Sequence, residues 1–179
     1  MVSYQNFRGE TYYLYSKKTK KGNTTFYFSK QSTDAAPIAE VPKEFEIYEE
    51  PNGKVYLRKK SKPYIHEQEL KVIQTGIEKH SGIDDFKLDI KKKTIYVYIA
   101  HQPLVAGAMP NHLLEKHKQY DTSLRFILTD EEERRFEVER FCYSGSVDDW
   151  IFLAEATNLE ELVQKYVQHL GKESFYDLF

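Results

Sequence analysis

The sequence predicts an α+β fold, mainly antiparallel sheet built of hairpins with two amphipathic helices packed against it. Three observations predict it. Tyr (14) and Phe (11) are abundant against a single Trp, and aromatic residues favour half-buried pleated surfaces. Apolar residues alternate with period two on both sides of several turn signals, which is the mark of antiparallel hairpins. Two segments instead carry a helical stripe.

The first hairpin is read in YYLYSKKTKKGNTTFYFSK, Tyr12 to Lys30, with six aromatic residues and five lysines. Leu14, Phe26 and Phe28 share one face, expected in the core, while Tyr13, Tyr15 and Tyr27 take the other, where their hydroxyls can reach water or a partner. Gly22-Asn23 suits a tight loop. Residues 31–42 are small, polar and Pro-containing and read as a loop. Pro51-Asn52-Gly53 is a turn signal, followed by a strand over 54–60. Phe45–Glu49 before it is either the hairpin partner or one short helical turn.

Leu70, Ile73 and Ile77 predict a helix over 66–80, with Gly82 at its stop. Phe86/Leu88/Ile90 and Ile95/Val97/Ile99 predict a hairpin around Lys91-Lys92-Lys93. Residues 101–121 contain Pro103 and Pro110, and a short helix is read over 111–119. Strands follow at 124–128, 136–142 and 150–154, the first two joined by an acidic tip at 130–133. Thr157-Asn158-Leu159-Glu160 predicts a capping box with Thr157 as cap. Leu159, Leu162, Val163, Tyr166, Val167 and Leu170 then form one apolar stripe that Gly171 ends.

Charge suggests two halves. Residues 1–100 hold 18 Lys/Arg against 13 Asp/Glu, a net of +5, and residues 101–179 hold 8 against 15, a net of −7. The basic half favours an acidic partner; equally, the halves can attract each other. One cysteine, Cys142, excludes an intrachain disulfide. The opening residues lack the pattern of a secretory signal. No run is long and apolar enough for a spanning helix. A cytoplasmic protein that does not enter membranes is expected.

YYLYSKKTKKGN…FYFSK, EIYEEPNGKVYLRK and HLGKESFYDLF resemble the motifs of a family of uncharacterised bacterial proteins. The resemblance covers most of the chain and implies a bacterial source without implying an activity. Residues 123–170 are similar in element order to the WGR module, strands running into a capped helix, which can contact nucleic acid. The Trp-Gly-Arg signature is missing; Ser144-Gly145 stands near its place.

The strongest ligand candidates are Tyr13, Tyr15, Lys20, Lys21 and Tyr27 of the first hairpin, with Arg58 and Lys60 extending the patch if their strand pairs with the hairpin. Rings beside cations suit single-stranded nucleic acid, since bases stack on rings and lysines neutralise phosphates. The same tyrosines also fit any half-buried sheet, and lysines at a turn keep it soluble. Cys142 lies between Phe141 and Tyr143 in a strand, a setting that suits a structural thiol.

The six histidines show no metal-ligand spacing. His101 ends a strand beside Gln102-Pro103, where a site residue is at home. Asp84-Asp85 and Asp148-Asp149 read as solvated turns. No glycine-rich phosphate motif occurs, so no cofactor is predicted. The sequence therefore favours a non-enzymatic binding module, possible partners being single-stranded nucleic acid or another protein. An enzyme with a site assembled from Cys142, His101 and an acidic group is the third reading.

Overall fold

The computed structural model describes residues 1–31, 35–101, 117–144 and 147–179. The architecture is α+β with antiparallel sheets. The chain forms two compact units, residues 1–61 with 102–118, and residues 62–101 with 119–179.

In the first unit, strands β1 (Ser3–Gln5), β2 (Thr11–Lys18), β3 (Thr24–Ser29) and β4 (Ala36–Pro37) make one sheet, with β2 at its centre. β2 pairs β3 on one side, and β1 then β4 on the other. β5 (Phe45–Glu49) and β6 (Val55–Lys59) form a separate hairpin, which settles the segment before Pro51 as a strand. Of the three residues expected in the core, Leu14 is fully buried while Phe26 and Phe28 are half-buried, and Phe26 meets Phe45 edge-on at 5.6 Å. Burial of these apolar groups supplies the driving force, at about 25 cal/mol per Å².

Asn6 is the polar pin of this unit. Its buried side chain donates to the Gly53 carbonyl at 2.7 Å and accepts from the Glu10 amide at 2.8 Å. Gly53 has φ +83, and a Cβ there would stand 2.9 Å from Asn6 Nδ2. Both facts demand glycine in the Pro51-Asn52-Gly53 turn.

In the second unit, β7 (Phe86–Lys91), β8 (Thr94–His101), β9 (Gln119–Asp130), β10 (Arg135–Ser144) and β11 (Val147–Ala156) form a five-stranded meander in the order β11-β10-β9-β8-β7. Helices α1 (Glu67–His80) and α2 (Leu159–Val167) share one core with Ile95, Val97, Leu124, Phe126, Phe136 and Val138. Helical and strand periodicities thus converge on one buried layer. On β8–β11, Tyr96, Phe141 and Trp150 cluster, with the Arg125 guanidinium 4.2 Å from the Trp150 ring centre and bonded to Glu139.

Three details differ from the sequence reading. The cap of α2 is Asn158, whose side chain accepts from the Glu161 amide, so the helix starts one residue later than a Thr157 cap requires. Asn is at least as good a cap as Thr. The α-helix ends at Val167, and residues 168–170 continue as turn, with Leu170 still buried. The compact units also divide the chain elsewhere than the charge halves do: β8 and β9 pair within the second unit, across the charge boundary at residue 100. Ladder hydrogen bonds, not net charge, decide which segments belong together.

Gly145 and most of the short helix read over 111–119 lie outside the described residues, while Gln119 opens β9. Among the described residues, no helix is long and apolar enough to cross a membrane.

Candidate functional site

The hairpin candidates separate by position. Tyr15 is 5% exposed. It sits on the central strand, with Tyr27 as cross-strand neighbour on one side and Pro37 on the other. Its ring stacks on Tyr27 with centroids 6.0 Å apart. Tyr13 and Tyr27 are half-buried. The tyrosine face is therefore partly covered, and Tyr15 belongs to the packing. The reason is topological: β4, which composition reads as loop, hydrogen-bonds along β2 and gives Tyr15 a second neighbour.

Lys17, Lys18, Lys20 and Lys21 are all exposed at the end of the hairpin. Lys17 and Lys18 end β2, and the loop that carries Lys20 and Lys21 is closed by Thr19 N–H donating to Asn23 O at 2.8 Å and Gly22 N–H donating to Thr19 O at 2.9 Å, with Gly22 at φ +81. No ion pair joins these four ammonium groups to a carboxylate among the described residues. Elsewhere in the unit Lys30 pairs with Glu10 at 2.5 Å, which raises the lysine pKa and lowers that of the glutamate through their hydrogen bond. Arg58 pairs with Glu46 at 2.6 Å and lies over the Tyr48 ring. Lys60 is exposed. β6, the strand that carries Arg58, lies beside β3 but pairs with β5 in its own two-stranded sheet, so it does not extend the first hairpin.

A second feature lies wholly within the acidic unit. The β9–β10 ladder ends at the pair Leu124–Arg140. Beyond it, residues 121–123 of β9 part from residues 141–143 of β10. The C-terminal segment from Leu170 to Tyr176 closes the back, and the end of β8 closes the side. The result is a cleft of about 520 Å³, within the range of small-molecule sites.

His101 Nε2 lies 2.9 Å from Asp121 Oδ2 in its wall. The Tyr143 hydroxyl donates to Thr122 O at 3.3 Å. Thr122 Oγ1 is buried without a hydrogen-bond partner among the described residues. Phe141 and Tyr143 line the cleft and Cys142 does not; alternation turns it to the other face. Of the three residue types of the assembled-site reading, His101 and an acid come together while the thiol does not. Asp121, Thr122 and Tyr143 were not singled out in the sequence. Among the described residues no three His, Cys, Asp or Glu side chains gather as metal ligands.

The wider comparisons add no relative: no protein family, curated protein or solved structure matches this chain.

Proposed function

We propose that the chain is a non-enzymatic binding module whose basic unit holds single-stranded nucleic acid through the lysine tip of the first hairpin. The unit of residues 1–61 and 102–118 holds 13 Lys/Arg against 8 Asp/Glu, a net of +5. The observation that carries the reading is the set of four exposed ammonium groups, Lys17, Lys18, Lys20 and Lys21, without carboxylate partners among the described residues. Unpaired cations clustered at a hairpin end neutralise phosphates and release their counterions. Burial of Tyr15 shifts the weight from base stacking to charge, so binding tolerates sequence. Tyr13 and Tyr27 supply ring edges at most. A bacterial, cytoplasmic protein is part of this reading, on the motif resemblance and the single cysteine.

The test is fluorescence anisotropy of a labelled oligothymidylate at low salt. The wild type should bind, and a variant with all four tip lysines changed to alanine should bind at least about tenfold more weakly. No binding by the wild type ends the proposal.

A protein partner is the second reading, favoured by Phe152 and Phe179, which are 51% and 89% exposed on the acidic unit. Large exposed apolar side chains mark contact surfaces when they cluster. A strict monomer in sedimentation that captures no partner in a pull-down would count against it.

A further inference from the structure

The cleft at the splayed end of β9 and β10 belongs to the acidic unit and has no part in the lysine-tip proposal. Its chemistry is distinctive. Four aromatic rings, Phe141, Tyr143, Phe175 and Tyr176, contribute to its lining. Tyr143 and Tyr176 are 58% and 69% exposed, an unusual state for rings with neighbouring apolar walls to pack on.

Two carboxylates, Asp121 and Glu173, stand against one ammonium, Lys172, and the His101 imidazole is already bonded to Asp121. Carboxylates therefore outnumber the ammonium group two to one in the lining. The surrounding unit is negative too, with 13 Lys/Arg against 20 Asp/Glu. The Tyr143 hydroxyl senses the same field: burial first, then the Asp121 and Asp148 carboxylates, push its pKa up.

Ring faces attract cations through their quadrupole, and a carboxylate beside them adds to that attraction. An anion would meet Asp121 and Glu173. We propose that this cleft binds a small organic cation, an alkylammonium or quaternary ammonium compound, between its aromatic rings and Asp121. The volume suits a free small molecule.

The chain provides its own reporter. Trp150 is the single tryptophan, and its ring centroid lies 5.0 Å from that of Phe141. The experiment titrates the intact protein with benzyltrimethylammonium and follows tryptophan fluorescence. Neopentylbenzene is poorly soluble, so benzyl alcohol serves as the neutral control and benzoate as the anionic one. A saturable response to the cation alone is expected. Asp121→Asn and Tyr143→Leu should each weaken it by about threefold to tenfold, with thermal melts checking that both variants fold.

The variant with four alanines at the lysine tip should bind the cation as the wild type does, so failure of one proposal leaves the other readable. Phosphatidylcholine vesicles should leave the protein in the supernatant. No saturable response from the wild type overturns the proposal, as does equal binding of benzoate or co-sedimentation with vesicles without a response to the free cation.

Discussion

Gly76 of α1 lies against Val163 of α2 so closely that a Cβ on Gly76 would stand 2.2 Å from Val163 Cγ1. Val163 is β-branched and 1% exposed, so its side chain has little freedom to retreat. On an exposed helix, Gly→Ala would stabilise by about 1 kcal/mol. Here the steric term wins, and Gly76→Ala should destabilise by about 1–3 kcal/mol. A lowered melting temperature checks this. In a Val163→Ala background the same change should cost less, as a double-mutant cycle would reveal.

Tyr15 and Tyr13 are neighbours with different expected fates. Tyr15→Ala removes a ring that is 5% exposed and stacked on Tyr27, so it should cost about 3–5 kcal/mol, as for other large aromatics. Tyr13→Ala, at a half-buried position, should cost clearly less. Chemical denaturation of both variants makes the comparison, and equal losses would contradict the assignment of Tyr15 to the packing.

Asp130 begins the turn between β9 and β10. Its Oδ1 accepts from the Glu132 amide at 2.8 Å and the Glu133 amide at 2.9 Å. These bonds, Glu133 first and then Glu132, lower its pKa below the ordinary aspartate value. A lowered folded-state pKa means the contribution is present above the unfolded pKa and fades as pH falls through the folded one. Carboxyl NMR should give Asp130 a midpoint below 3.8. Asp130→Asn should remove that step from the acid side of the stability profile. A midpoint at or above the ordinary value would refute the turn geometry.

The hairpins and both helices were legible because each announces itself locally. Ile95 and Val97 alternate, Ile73 and Ile77 lie one turn apart, and Gly171 stops the last stripe with φ +75. The short strands were not. Ser3–Gln5 and Ala36–Pro37 are too brief to show a period, and only pairing with β2 makes them strands. Their presence decides the burial of Tyr15, which is why the tyrosine face could be drawn from alternation but its exposure could not.

The cleft was still less readable. His101, Asp121, Tyr143 and Lys172 come from four segments, and the gap that gathers them exists because the β9–β10 ladder stops at Leu124. His101 drew notice for its place at a strand end, whereas nothing local distinguishes Asp121. The lysine tip is the opposite case, since charge on a turn is both local and exposed.

The salt dependence of oligothymidylate binding tests the central claim most directly. Four tip lysines that neutralise about four phosphates predict that log K falls against log salt with a slope of about −3 for a single strand. Replacing Lys20 and Lys21 by alanine should reduce that slope by about half, with no change in melting temperature. A slope near zero, or one that the Lys20 and Lys21 changes leave as it was, would contradict the assignment of nucleic-acid contact to the hairpin tip.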